Sequence, residues 1–171
     1  MPERVILING LPGSGKTTLA GALAWQLNSA LLSKDPIKEA LADAVGHDFP
    51  NLGAIAMDTV WSMAAGCTGT VIIDSWWYRP RDLEHARRGL SSLACSDALE
   101  LWCDCPGEVA RERMLTRPRH PVHPDALRLE TDWDTWVATA APLALTPVMR
   151  VDTSRAVDIP ALAAAILRDL V

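Results

Sequence analysis

The sequence predicts an α/β fold with a parallel sheet. Short apolar runs alternate with segments of helical periodicity along its 171 residues, and a glycine-rich loop at residues 10–17 joins the first run to the first helix. This alternation is typical of parallel sheets that are covered by helices on both faces. The length indicates one domain over residues 1–171, because single domains commonly contain about 100–200 residues.

In the first third of the chain, residues 5–9 form an apolar run that ends in a polar side chain, as expected of a strand buried on both faces. Residues 15–28 have the periodicity of an amphipathic helix. Residues 30–33 predict a short second strand. The next helix begins at Pro36, and Asp35 stands where its N-cap is expected.

In the middle of the chain, residues 52–65 predict a helix and residues 70–74 a third strand rich in β-branched side chains. A helix over residues 82–93 and a fourth strand over residues 98–103 follow. Residues 107–115 are again helical. The helices therefore connect the predicted strands in turn, as parallel pairing requires.

The last third opens with a segment at residues 117–124 whose three prolines exclude a regular helix. It belongs to a predicted lid segment at about residues 113–130. A helix carrying Trp133 and Trp136 comes next. Residues 146–151 predict the fifth strand, and residues 160–170 predict the closing helix.

Charge and composition exclude several classes of protein. The net charge of −5 disfavours a nucleic-acid partner, because phosphate binding needs clustered basic residues. The first apolar run is too short for a signal peptide, and no apolar stretch reaches 18 residues. The four cysteines fit neither a disulfide framework nor a complete zinc site. We therefore expect a soluble cytoplasmic protein with reduced cysteines and no membrane partner.

The loop at residues 10–17 reads GLPGSGKT and matches the phosphate-binding pattern G-x-x-x-x-G-K-[ST] at every fixed position. Its glycines let backbone N–H groups turn towards phosphate oxygens, and the following helix contributes its positive end. Lys16 supplies a charge for the β- and γ-phosphates. The predicted nucleotide contacts are Gly10, Gly13, Ser14, Gly15, Lys16, Thr17 and Thr18.

Two carboxylates follow predicted strands, at the edge where the phosphate loop also lies. Asp74 ends the third strand and, with the Thr17 hydroxyl, is the predicted Mg²⁺ site. Asp35 follows the second strand. It is either a catalytic group that orients or deprotonates an acceptor hydroxyl, or only a helix cap. Arg113 and Arg117 lie four residues apart, so that one helix face would bring both to the transferring phosphate.

The seven tryptophans form two groups and three single positions. Trp76 and Trp77 follow the metal-binding acid, and one of them is predicted to face the acceptor. Trp133 and Trp136 would lie over the same cleft. Trp25, Trp61 and Trp102 are predicted core residues. His120, in the proline-rich segment, is predicted either to support the lid structure or to contact the substrate, rather than to bind a metal.

The phosphate loop, Asp35, Asp74, the arginine-rich lid and the residues after strand five together resemble the small P-loop kinases with the nucleoside monophosphate kinase fold. The order and spacing are most similar to the chloramphenicol phosphotransferase-like and zeta-toxin-like AAA-type kinases. The resemblance implies strand order 2-3-1-4-5 and the use of ATP with Mg²⁺. It also implies a catalytic Asp35, lid arginines at Arg113 and Arg117, and Thr153 and Ser154 against adenine.

The sequence departs from that resemblance after strand three. Monophosphate kinases carry Asp-Gly-Phe-Pro-Arg there, with the arginine on the acceptor phosphate, whereas this chain has DSWWYR at residues 74–79. The glycine is replaced, and Arg79, which is predicted to contact the substrate, comes one residue later. This favours a neutral or ring-bearing acceptor over a nucleotide.

The predicted function is transfer of the ATP γ-phosphate to a hydroxyl of a small metabolite or antibiotic-like acceptor. One alternative is an ATPase or switch that acts on a protein partner. Others are a gluconate- or nucleotide-type kinase and a nucleic-acid end kinase.

Overall fold

A computed structural model describes residues 1–169 and places a five-stranded parallel sheet at the centre of the molecule. The strands are β1 (Arg4–Asn9), β2 (Ala30–Ser33), β3 (Thr70–Asp74), β4 (Asp97–Asp104) and β5 (Val148–Asp152). They are hydrogen-bonded in the order β2-β3-β1-β4-β5. The predicted fold class and the strand order implied by the family resemblance are both confirmed.

Eight helices flank the sheet in the described part of the chain. They are α1 (Lys16–Leu27), α2 (Lys34–Val45), α3 (Leu52–Gly66), α4 (Arg79–Ser92), α5 (Gly107–Thr116), α6 (Asp125–Thr131), α7 (Trp133–Thr139) and α8 (Ile159–Asp169). None of the described helices combines the length and the apolar character needed to cross a membrane.

Two hydrophobic cores lie on opposite faces of the sheet because successive strand side chains alternate between the faces. Val5 and Leu7 of β1 pack into the core under α3 and α4. Ile6 and Ile8 pack into the core under α1 and α8. All four side chains are fully buried, which explains why β1 is apolar at each position from Val5 to Ile8.

The register brings the carboxyl ends of β1, β2 and β3 together. Asp74 at the end of β3 pairs with Ile8 of β1 on one side and with Ser33 of β2 on the other. The phosphate loop leaves β1 at this same edge. Every residue that follows one of these strands therefore starts within reach of the loop.

The predicted elements are present, with differences at their ends. β5 begins at Val148, two residues later than expected, and the tryptophan-bearing region is two short helices, α6 and α7. Position 170 of the predicted last helix lies outside the described residues. The four cysteines are free, as expected. Trp61 and Trp102 are buried, but the core prediction for Trp25 is wrong because its side chain on α1 is 88% exposed.

Candidate active site

A cavity of about 190 Å³ opens at the carboxyl edge of the sheet between the phosphate loop, α2 and the lid segment. The chain reaches it from the ends of β1, β2 and β3 and from the lid, so residues far apart in sequence line one space. Among the predicted site residues, the cavity contains Lys16, Thr17, Asp35, Asp74, Trp76 and Arg117.

The phosphate loop is held in the curled form that its glycines permit. Gly13 has φ +80° and Gly15 has φ +90°, in the left-handed region where other residues are strained. A side chain at Gly13 would bring its Cβ within 2.0 Å of the Ala110 carbonyl oxygen. Close packing of the loop on α5 therefore requires glycine at this position.

Lys16 is the first residue of α1, and its ammonium group lies inside the curve of the loop. Its Nζ donates a hydrogen bond to the Leu11 carbonyl oxygen at 2.8 Å. Burial lowers the pKa of Lys16, while the nearby Asp74 carboxylate opposes this effect. The helix behind it has no side-chain N-cap, so its first amide groups remain available to an anion.

Asp74 is buried and accepts two hydrogen bonds on one oxygen. Thr17 Oγ1 donates to Asp74 Oδ2 at 2.8 Å, and Ser33 Oγ donates to the same atom at 3.2 Å. Burial raises the pKa of Asp74, and the adjacent Lys16 acts in the opposite direction. The hydroxyl and the carboxylate predicted to share a metal are thus direct neighbours.

Asp35 does not cap a helix. α2 begins at Lys34, its N-cap is Ser33, and no side chain bonds the free amides there, so the predicted cap at Asp35 is wrong. Instead its carboxylate points into the cavity, where Arg119 Nη2 donates to Oδ2 at 2.7 Å. Burial alone would raise the pKa of Asp35, but the Arg119 guanidinium outweighs it and holds the pKa below its usual value.

Arg113 and Arg117 are separated rather than aligned on one helix face. α5 ends at Thr116 and Arg117 is extended, so the expected four-residue spacing along a helix is lost. Arg117 turns into the cavity and pairs with Asp125 at 3.1 Å. Arg113 turns away from this cavity and donates to the carbonyl oxygens of Thr153 and Ser154 at 3.0 and 3.1 Å.

A second cavity, of about 550 Å³, lies on the other side of the phosphate loop. It combines polar groups with apolar side chains of α1 and of the loop after β5. Its lining includes the predicted nucleotide contacts Gly15, Thr18, Arg113, Thr153 and Ser154. The phosphate loop therefore separates an apolar cavity from a charged one.

The two consecutive tryptophans after β3 point in opposite directions. Trp77 is 2% exposed and stacks on Trp61 with ring centroids 6.3 Å apart, so it belongs to the core and cannot reach a substrate. Trp76 lines the charged cavity and meets Trp136 edge to face at 6.0 Å. Lys16 Nζ lies 6.0 Å from the Trp76 ring centroid.

Arg79 and His120 lie outside the charged cavity, and neighbouring residues take the expected places. Arg79 begins α4 and lies at a separate surface cavity, while Arg81, two residues further along the helix, borders both that cavity and the charged one. His120 faces Asp43 further along α2, and His123 lines the cavity instead. The irregular backbone of the proline-rich segment sets the directions of the two histidines, whereas Arg79 and Arg81 point apart because they are two residues apart on α4.

Potential metal ligands cluster around His120. Potential ligand atoms of Asp43, His47 and His120 lie within 4.8 Å of one another. However, the Val122 amide donates to His120 Nδ1 at 3.2 Å, so the neutral ring carries its proton on Nε2, the atom 3.1 Å from Asp43 Oδ1. This ring nitrogen is a hydrogen-bond donor to Asp43 in the described arrangement.

Three carboxylates on α2 make a ladder of contacts with the lid segment. They recur every four residues and so share one helix face. Their partners lie within residues 119–123 of the lid segment. Asp35 contacts Arg119, Glu39 contacts His123 and Asp43 contacts His120, at 2.7, 3.0 and 3.1 Å.

A buried polar network behind the site was not predicted. Asn9 Oδ1 accepts the amides of Gly10 and Trp77, while its Nδ2 donates to Glu100 Oε1 at 2.9 Å. Glu100 is fully buried in β4 and also accepts the amides of Leu143 and Ala144. The signal was available, because an ionisable residue inside an apolar strand needs a partner.

The model of one protein family, the AAA domain, matches residues 5–143. No curated protein sequence is significantly similar to the chain. Among solved structures, a "putative kinase" from Chloroflexus aurantiacus is 29% identical, with a TM-score of 0.79 and coverage of 98% of this chain and 97% of that one.

Two further structures share the fold at lower identity. The Mycobacterium tuberculosis APS kinase CysC, in complex with AMPPNP and APS, is 19% identical with a TM-score of 0.64, covering 96% of this chain and 95% of that one. A Sinorhizobium meliloti gluconokinase is 18% identical with a TM-score of 0.63, covering 98% and 91%. The family match extends over most of the chain, and we conclude that this protein belongs to the AAA domain family and has the fold of the small P-loop kinases.

Proposed function

We propose that the protein is an ATP-dependent kinase that transfers the γ-phosphate of ATP to a hydroxyl group of a small molecule. One observation carries this proposal: the phosphate loop and two carboxylates, Asp74 and Asp35, line the same cavity. A nucleotide switch needs the loop and Asp74, but a second carboxylate opposite the loop is what an acceptor hydroxyl requires.

The nucleotide would lie across the phosphate loop with its base in the second cavity. The free amides at the start of α1 and the Lys16 ammonium provide donors and charge for phosphate oxygens. Arg113 orders the loop after β5 through two carbonyl oxygens, so Thr153 and Ser154 form a fixed wall for the base. The neighbouring APS kinase, in complex with AMPPNP, supports nucleotide binding by this fold.

Thr17 and Asp74 fit a magnesium ion, which prefers hydroxyl, carboxylate and water oxygens. Asp74 is buried and its bond from Thr17 places two oxygens side by side. Burial of this carboxylate raises its pKa, so a bound cation would favour the ionised form. When bound, Mg²⁺ would neutralise charge on the phosphate oxygens.

Asp35 would orient the acceptor hydroxyl and accept its proton. Its pKa is held below the usual value, so the carboxylate is ionised at neutral pH and can accept a hydrogen bond. Arg119 occupies one of its oxygens, and an acceptor would share or replace that bond. Arg117 and Arg119 then carry positive charge beside the phosphate in transfer.

The proposal is tested by ADP release from ATP with a panel of sugars, sugar acids, nucleosides and antibiotic-type alcohols. We expect one group of compounds to stimulate ADP release and to yield a phosphorylated product by mass spectrometry. Lys16→Ala should lower turnover by about 10²–10³. Arg87→Gln, at an exposed residue of α4, is the control and should turn over normally.

The proposal would be refuted by ADP release that no small molecule stimulates but a protein partner does. Near-normal turnover by Lys16→Ala would refute the site assignment. The first outcome would indicate a protein-directed ATPase.

A further inference from the structure

All lysines of the chain lie in one place. The sequence contains only three lysines among its 16 basic residues, the other 13 being arginines, and Lys16, Lys34 and Lys38 all line the charged cavity. Lysines are usually scattered over exposed surfaces. Their confinement to one cavity indicates a binding requirement for compact ammonium charges there.

Each arginine that lines this cavity already has a carboxylate partner. Arg81, Arg117, Arg119 and Arg128 each contact a carboxylate, at 2.7, 3.1, 2.7 and 2.5 Å. Lys16 belongs to the phosphate loop and is near Asp74. These charges therefore do not give the cavity an excess of positive charge by themselves.

Lys34 and Lys38 supply the excess. Neither lysine contacts a carboxylate within residues 1–169. In this part of the chain their ammonium groups make one hydrogen bond, from Lys38 Nζ to the Val122 carbonyl oxygen at 3.2 Å. Burial lowers the pKa of both groups, although nearby acids counteract this effect. An ammonium group withdrawn from water without an anionic partner is unfavourable, so a ligand anion would relieve this cost.

The two lysines would hold this anion close to Asp35. They are four residues apart on α2, on one helix face, and Asp35 stands in the same turn as Lys34. An anionic group bound by the lysines would leave the adjacent part of the same molecule beside Asp35. Lys16 and Thr17, which would hold the γ-phosphate, line the same cavity.

We infer that the acceptor is an anionic alcohol whose carboxylate, sulfate or phosphate group binds Lys34 and Lys38 while its hydroxyl faces Asp35. This inference rests on the proposed kinase function and names the acceptor class of the same site. It departs from the neutral acceptor that the residues after β3 favour, and it is compatible with the ring-bearing acceptor and the gluconate-type kinase that the sequence leaves open. Trp76 then provides an apolar wall for the carbon skeleton between the two polar ends.

The first experiment measures anion binding with the nucleotide site filled. The protein is loaded with AMPPNP and Mg²⁺, and sulfate or acetate is titrated at constant ionic strength by thermal shift and calorimetry. We expect sulfate or acetate to bind, and Lys34→Gln and Lys38→Gln each to weaken it about tenfold. Arg87→Gln removes one positive charge outside the cavity and should leave binding unchanged. Equal anion binding by the wild type and the lysine variants would overturn the inference.

The second experiment uses matched acceptors of which one is anionic and the other neutral, namely gluconate with gluconamide, shikimate with its methyl ester, and glycerol 3-phosphate with glycerol. We expect kcat/KM for the charged member of a productive pair to exceed that of its partner at least tenfold. Lys34→Gln should abolish this preference while the KM for ATP stays constant. The three pairs distinguish carboxylates from phosphates.

The outcomes separate this inference from the proposed function. Phosphorylation of both members at equal rates would refute the anionic acceptor and leave the kinase intact. A lysine variant that raises the KM for ATP alone would assign these lysines to the nucleotide and would also refute it. If no compound is phosphorylated, the kinase proposal fails on this panel, and the anion titration by itself decides whether Lys34 and Lys38 form an anion site.

Discussion

The buried carboxylate of Glu100 offers a sharp test of the network behind the active site. Glu100 Oε1 accepts hydrogen bonds from Asn9 Nδ2 and the Leu143 amide, each at 2.9 Å, and Oε2 accepts one from the Ala144 amide at 2.9 Å. Glu100→Gln keeps the shape of the side chain but replaces one acceptor oxygen with an NH₂ group. At least one N–H donor then faces another donor.

The cost follows from the bonds that change. A hydrogen bond to a charged group is worth about 1.5–3 kcal/mol, and a buried donor without an acceptor costs about 1–3 kcal/mol. Ala144 is at the edge of the network, where water can relieve part of this penalty, so we expect the free energy of unfolding to fall by about 2–4 kcal/mol. For a chain of this length, that is a decrease in Tm of about 4–16 °C.

The assay is thermal and urea unfolding of Glu100→Gln beside Glu130→Gln, a change of the same chemistry at an exposed position on α6. The control should stay within about 0.5 kcal/mol of the wild type. Amide exchange should rise at Gly10 and Trp77, because Asn9 Oδ1 holds both amides. A Tm for Glu100→Gln equal to that of the control would refute the reasoning and show that the carboxylate is not needed by its three donors.

Three further predictions concern the cavity and the helices beside it. Asp35→Asn should lower kcat by about 10²–10⁴. Its Tm should change little, because the carboxylate is 46% exposed and its ion pair with Arg119 is weak. A lower Tm with unchanged kcat would contradict a catalytic role. Trp77→Ala should cost about 3–5 kcal/mol of stability, whereas Trp76→Ala should raise the acceptor KM about tenfold and leave the KM for ATP unchanged. Steady-state kinetics and melting curves would show the reverse pattern if Trp76 were the core residue and Trp77 the acceptor wall. Gly89→Ala would place a Cβ 2.2 Å from the Trp61 indole of α3 and should destabilise the protein by about 1–3 kcal/mol. Gly21→Ala, with no atom within 4 Å of the new Cβ, should stabilise it by about 0.5–1 kcal/mol. Equal effects of the two glycine changes on Tm would refute the packing argument.

The sequence was sufficient for the sheet and for the phosphate loop because both depend on local patterns. The interior positions of β1 and β3 are all apolar because both faces of these strands are covered, and the loop motif fixes its own backbone through glycine. Asp74 followed from the same logic, because its position at the end of β3 determines which edge of the sheet it reaches.

The lid and α2 could not be placed in the same way. Whether Asp35 caps its helix depends on where β2 ends, and β2 passes into α2 without an intervening residue. The directions of Arg117 and His120 depend on irregular backbone at the end of α5 and in the proline-rich segment. The exposure of Trp25 depends on which face of α1 the sheet covers. Each of these is decided by contacts between distant residues, to which residue type and spacing give little access.

The ladder between α2 and the lid segment has a consequence for timing in the catalytic cycle. Asp35, Glu39 and Asp43 all lie on the single helix α2. The lid segment therefore cannot move away from Glu39 without straining its contacts with Asp35 and Asp43. The three pairs are therefore expected to break together. Breaking them uncovers the Asp35 carboxylate at the moment when the entrance to the cavity widens. Asp35 and Arg119 form a partly exposed pair that is charged on both sides, so salt should weaken it, and entry of an acceptor and release of Asp35 would accelerate together as ionic strength rises.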